Sequence, residues 1–238
     1  MHETVLVTGL SNREFLERHA ARGRVGLSGG TTLIDKAICR AQRHLHPQAR
    51  WGVWSHAFIF QGSRPDGWQW VVESDLQIQT KHIQLGVQEN RVAKYFDEDL
   101  YASLAVLDFG LSAPQVSVVV CESLELVANR EQYSVRELFG TLLALRHARL
   151  RSRKNLLARE RSVFCSAFVR HVFRNAGVDL MPGVDFKNTA PEDLANSPVP
   201  HTAYILQREV PHSMLAAAGR RVKARVKVGL RQVKRKLG

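Results

Sequence analysis

Three cysteines among 238 residues, Cys39, Cys121 and Cys165, are few and odd in number, which argues against a disulfide framework and suits a reducing compartment. Absent too is any apolar run approaching about 18 residues, so no transmembrane helix is expected. The opening Met1-His2-Glu3-Thr4 carries no charged leader with an apolar stretch behind it, so no secretory signal is expected and the chain reads as cytoplasmic. Ser28-Gly29-Gly30-Thr31-Thr32 comes nearest to a phosphate-binding loop but lacks the Gly-Lys-Ser/Thr ending. Ten histidines are present, yet His44-Leu45-His46 and His171 make no ligand spacing with cysteines or acids, so neither a metal nor another cofactor is expected.

Positive charge is abundant and unevenly spread. The formal net charge is +12, and the stretch from Gly219 to Gly238 holds nine Lys/Arg and no acid, which leaves +3 for the rest. Val222, Val226, Leu230, Val233 and Leu237 step by four, four, three and four through that stretch, the spacing of a basic amphipathic helix. Such a tail suits an anionic membrane surface or an acidic partner. Nucleic acid is the alternative, since phosphate attraction needs only positive charge, and a plain solubilising extension is the third. The stripe has no Trp or Phe.

Ahead of the tail the pattern is mixed. Ser11 with Glu14 three residues on is a capping box for a helix over 11–22, ended by Gly23. A strand follows at Arg24–Ser28. Thr32 and Asp35 then open a second helix with Leu33, Ile34, Ala37, Ile38, Ala41 and Leu45 as its inner face. Trp51–Gln61 and Trp68–Ser74 read as strands joined by the turn Ser63-Arg64-Pro65-Asp66-Gly67. Val92–Phe96 alternates like a strand, with another expected at Ile78–Ile83 and a third at Leu104–Phe109. Pro114 opens a helix through Asn129 with Val116, Val119, Val120, Leu124 and Val127 inward and Cys121 beside them as a structural thiol. A further helix over 135–149, a basic loop from Arg149 to Lys154, a loop-rich stretch from Pro182 to Pro200 and a strand at Thr202–Leu206 complete the reading. Helices flanking an antiparallel sheet argue for α+β. The expected division is a helical extension over 1–22, one domain over 23–210 and the basic tail over 211–238.

The stretch Ser162 to Gly177 stands out. Phe164, Cys165, Phe168, Val169, Val172, Phe173 and Ala176 fall on one helix face, and Gly177 follows where the helix would stop. Cys165 then sits in the first turn, where free N–H groups and the helix dipole favour a thiolate. By position alone it reads either as a nucleophile or as a small buried core thiol.

Cys165-Ser166-Ala167-Phe168-Val169, followed by Gly177-Val178-Asp179-Leu180, resembles the nucleophile helix of papain-like hydrolases of the NlpC superfamily. Those families carry Cys-Ser-x-Phe-Val and then Gly-Ile/Val-x-Leu. Here the matching histidine is upstream, in Trp54-Ser55-His56-Ala57-Phe58, an order that looks like the circularly permuted YiiX-like branch with its lecithin retinol acyltransferase-like relatives. Gly23-Arg24-Val25-Gly26-Leu27 resembles that branch's opening, with Arg24 where the branch has Asp. The resemblance implies a permuted papain-like fold and a thiol hydrolase or acyltransferase acting on an amide or ester. Its relatives include amidases, cysteine peptidases and lipid acyl-transfer enzymes.

Acyl transfer by cysteine needs a nucleophile, a base in hydrogen-bond reach and a group that orients the base. Cys165 is the candidate nucleophile and His56, just before an apolar strand, the candidate base. Glu73 occupies the position where the permuted branch carries its third polar residue, and the hairpin brings it towards His56. Tyr133 matches a tyrosine that relatives have in the substrate cleft, and Ser55 is a second candidate substrate-binding residue. The rival reading is a non-catalytic adaptor that binds membrane or nucleic acid through its tail.

Overall fold

A computed structural model describes residues 2–45, 51–78, 83–129, 165–185, 188–206 and 208. Its strands are β1 (His2–Val7), β2 (Val25–Gly30), β3 (His56–Ser63), β4 (Gln69–Ile78), β5 (Ile83–Arg91), β6 (Tyr101–Asp108) and β7 (His201–Leu206). The helices are α1 (Asn12–His19), α2 (Leu33–Ala41), α3 (Ala113–Ala128), α4 (Cys165–Asn175) and the short α5 (Pro191–Ala195). All belong to the unit Met1–Gln207.

The strands make one sheet in the order β1-β7-β6-β2-β3-β4-β5. Every ladder is antiparallel except β1 on β7. The fold is therefore α+β. Both sheet faces are covered, which is why the central strands are apolar at successive positions. On one face Val25, Leu27, Ala57, Ile59, Val72, Ala105 and Leu107 pack with Phe168, Val169, Val172 and Phe173 of α4 and Val119 of α3. On the other, Phe58, Phe60, Val71, Leu104 and Val106 pack with Phe15 and Leu16 of α1 and with Val92 and Tyr95.

Local chemistry sets the element ends. Ser11 and Glu14 form the expected capping box at α1, and Thr32 and Asp35 form theirs at α2. Gly177, with φ of 82°, follows α4 in the left-handed region, and the Val178 N–H closes the end on Phe173 O at 2.9 Å. In the sheet, Gly26 pairs directly with Phe58. A Cβ at Gly26 would lie 2.1 Å from the Phe58 ring, so that ring occupies the space a side chain would need.

Several sequence expectations are corrected. Val92–Phe96 is a 3-10 helix, not a strand. Its buried residues Val92 and Tyr95 are three apart, the period of that helix, and five residues are too few to separate the two periods. His2–Val7 adds a parallel edge strand on β7 that the sequence did not announce, and α1 packs Phe15 and Leu16 into the core. A partner strand some 200 positions away leaves no local pattern. Leu33 and Ile34 are exposed, at 71% and 44%. Ile38, Cys39 and Ala41 are the buried residues of α2, because its partners meet the second turn: Gly52 N–H bonds to Cys39 O, and Gln42 bonds through its side chain to Trp54 O. Cys121 is exposed rather than structural. Residues 51–55 precede β3 without strand pairing of their own, and Ile78 and Ile83 end and begin different strands. The helix over 135–149, the basic loop from Arg149 and the tail over 211–238 lie outside the described residues.

Candidate functional site

β3 and β4 pair antiparallel with Phe58 opposite Glu73. A strand repeats every two residues, so His56 and Phe58 share a face, and Glu73 and Asp75 share the same one. The His56 Nε2–H donates to Glu73 Oε2 at 2.7 Å. Two residues distant in sequence thus meet because the hairpin delivers them.

Glu73 is fully buried, with no exposed surface. A bare carboxylate there would be very costly, and four donors offset the cost. Besides His56, the Tyr95 hydroxyl donates to Oε2, while Asn90 Nδ2 and Lys94 Nζ donate to Oε1 at 2.7 and 2.8 Å. Lys94 also reaches Asp75 Oδ2 at 2.6 Å. Burial works against the Glu73 charge, but the Lys94 ammonium, with the hydrogen bond and charge of His56, wins and holds the carboxyl well below the usual range. Lys94 is pushed upward in turn: burial disfavours its charge, and Glu73 and Asp75 more than restore it. Burial next to the Glu73 anion keeps the Tyr95 phenol far above its ordinary value, so it serves as a neutral donor.

Tyr95 is itself held on several sides. Its ring stacks on Phe58 at 4.2 Å between centroids with 13° between planes, and it lies 4.8 Å from the Tyr101 ring. Asn12, at the start of α1, donates to Tyr95 O and Tyr101 O, each at 3.0 Å. The N-terminal helix therefore steadies a residue of the site.

Cys165 is the first residue of α4 and is buried. It lies beside His56. Burial tends to lower the imidazole, yet the charge and hydrogen bond of the Cys165 side chain, then Glu73 and Asp75, raise it well above its ordinary value. Since Nε2 is engaged by Glu73, Nδ1 is the nitrogen left for the sulfur. The helix carrying Cys165 is anchored by polar bonds. Ser166 Oγ donates to Thr189 O at 2.6 Å, and buried Arg170 binds Asp179, Val184 O and Thr189 Oγ1. The chain leading into His56 is pinned as well: Val53 N–H donates to Glu192 Oε2 at 3.1 Å.

Cys165, His56 and Glu73 thus come together. Ser55 is buried with its hydroxyl committed to β2, accepting from Gly30 N–H at 3.0 Å and donating to Ser28 O at 3.2 Å, so it fastens the strand end. Tyr133 lies outside the described residues. Sequence reasoning missed Asp75, Asn90, Lys94 and Tyr95. Strand alternation could have found Asp75, two residues beyond Glu73. The other three depend on β5 and the 3-10 helix folding back over Glu73, which no spacing announces.

The donor atoms of His56, Glu73 and Asp75 lie within 4.8 Å of one another, the one such metal-sized group of three among the described residues. No helix among those residues is long and apolar enough to cross a membrane.

No protein-family model and no curated protein matches the chain. Among solved structures it is similar to one described as the metalloprotein yiiX from Escherichia coli O157:H7, DUF1105. The likeness has a TM-score of 0.51 at 14% identity and covers 81% of this chain and 99% of that one. With its largely antiparallel seven-stranded sheet and flanking helices, this chain has the α+β, YiiX-like fold.

Proposed function

We propose that this protein is a cysteine hydrolase or acyltransferase that acts on an amide or ester, with Cys165 as nucleophile, His56 as base and Glu73 as the group that orients and charges His56. One observation carries the reading: a fully buried carboxylate is bonded to the imidazole, and the same imidazole has the Cys165 side chain beside it. The environment of His56 favours its protonated form, the state required of the partner of a thiolate.

That pairing dictates the order of steps. The Cys165 sulfur attacks the carbonyl carbon and forms a C–S bond. As the C–N or C–O bond breaks, the leaving nitrogen or oxygen takes the proton from His56. Water, or an alcohol or amine acceptor, then gives its proton to His56 and attacks the thioester. The C–S bond breaks and the thiolate–imidazolium pair returns. Glu73 remains ionised throughout, its charge stabilising the imidazolium and its bond to Nε2 keeping Nδ1 towards sulfur.

The similar solved protein is described as a metalloprotein, which bears on the His56, Glu73 and Asp75 cluster. The donor types would suit a metal, but the atoms are already engaged and so do not fit a resident one. Each Glu73 oxygen already accepts two donors, His56 Nε2 points a proton at Glu73, and an ammonium lies between the two carboxylates.

The test is labelling of the full-length protein with electrophilic amide- and ester-mimic probes, with peptide mapping of the adduct. Covalent addition at Cys165, lost in Cys165→Ala and strongly slowed in His56→Ala, supports the proposal. Absence of labelling at Cys165 in folded protein across both probe classes would count for the adaptor reading.

A further inference from the structure

The His56, Glu73 and Asp75 cluster has the donor types and spacing of a divalent-cation site, and a cation already stands within it. Lys94 Nζ lies 2.8 Å from Glu73 Oε1 and 2.6 Å from Asp75 Oδ2. Its side chain is only 22% exposed, and those of Glu73 and Asp75 are 0% and 23% exposed, so the pairs are shielded from solvent rather than loosely formed on the surface. The remaining lone pairs of Glu73 are taken by Asn90, Tyr95 and His56. We infer that the Lys94 ammonium is the resident cation of this cluster and occupies the role that a divalent metal ion would fill between the two carboxylates.

Charge and geometry both carry the inference. Two carboxylates, Glu73 and Asp75, face two cationic groups, Lys94 and the His56 imidazolium. Cys165 on α4, with Tyr95 on the 3-10 helix and Tyr101 on β6, completes the set of titratable groups around them. A metal ion entering this set would have to expel the ammonium and strip the proton from His56 Nε2. A single positive charge on a long side chain is enough to hold two carboxylates side by side, and it leaves the imidazole free to interact with sulfur. Lys94 is then a positioning residue: it keeps Glu73 ionised and in place without touching Cys165. The inference is about occupancy of the cluster and does not depend on the catalytic reading of Cys165.

The experiment is Co2+ titration of chelator-stripped, full-length protein, read by calorimetry and by visible absorption. Wild type and Asp75→Ala should bind Co2+ equally, since the cluster is closed to metal in both. Lys94→Met removes the ammonium while keeping an unbranched apolar side chain, and should create one site per chain. Its affinity should exceed that of wild type by about 100-fold, because the ion no longer competes with a buried pair. That site should vanish in Lys94→Met/Asp75→Ala, which separates it from other histidines and cysteines. Circular dichroism checks that each variant is folded. A folded Lys94→Met with no gained site would overturn the inference. So would wild type that binds one Co2+ with an affinity that falls in Asp75→Ala, a comparison that decides the matter even if Lys94→Met does not fold.

Discussion

Replacing Glu73 by glutamine keeps the size of the side chain and removes one charge, and the surrounding donors determine the outcome. The new amide has one oxygen and one NH2 to offer to four donors. Lys94 has no acceptor at all, so the amide oxygen turns towards Lys94 and Asn90. The NH2 then faces His56 Nε2 and the Tyr95 hydroxyl. The hydroxyl can rotate and accept, but Nε2 can accept only if the imidazole moves its proton to Nδ1. That puts a hydrogen on the nitrogen meant for sulfur and removes the base. The wrong tautomer in a comparable triad costs about 10⁴ in turnover, so a loss of about 10³–10⁴ in kcat is expected here. Loss of the adjacent anion should also lower the His56 pKa, since the hydrogen bond to Glu73 is among the causes that raise it. The assays are turnover of an activated ester or amide and an NMR titration of the His56 ring. Acid stability supplies a third reading. A carboxylate held below its ordinary value contributes stability that is present above the unfolded-state pKa and lost as pH falls through the folded one. Wild type should therefore lose denaturation free energy more steeply than Glu73→Gln as pH drops below about 4.3. Unchanged turnover together with an unchanged His56 titration would refute the orienting role of Glu73.

The three thiols should separate by environment rather than exposure. An amide-mimic electrophile should label Cys165 ahead of Cys121 although Cys121 is the exposed one, while Cys39, whose thiol burial pushes up to about 12, should stay unmodified. Preference for Cys121 would argue against an activated Cys165. Gly26→Ala should destabilise the fold by about 1–3 kcal/mol in urea titrations and loosen the Phe58–Tyr95 stack, because the methyl meets the Phe58 ring; a neutral substitution would contradict the packing. The tail is expected to bind anionic vesicles, each cation contributing about 1 kcal/mol near the surface, with binding that weakens sharply in salt. A chain ending near Val210 should lose co-sedimentation but retain turnover of a small soluble substrate; loss of that turnover in a folded truncation would place the tail within the active site.

Helix chemistry was legible in the sequence because it is local. Ser11 with Glu14 and Thr32 with Asp35 needed only neighbours three residues away, and the periodicity from Cys165 to Gly177 marked a buried helix with a glycine just past its end. His56 and Glu73 were legible too, since a tight hairpin converts sequence distance into a cross-strand neighbour. Features beyond a hairpin's reach were decided by tertiary structure. The parallel pairing of His2–Val7 with His201–Leu206 joins the two ends of the domain and leaves no local periodicity. Leu33 and Ile34 carry an apolar pattern but face outward, because packing partners meet only the second turn of their helix. Most telling is the cage around Glu73. Composition makes an acid on an apolar strand a cost, and only the return of β5 and the 3-10 helix across β4 brings Asn90, Lys94 and Tyr95 to offset it. A buried charge is stable where its donors converge in space, and that convergence belongs to the fold rather than to any stretch of the chain.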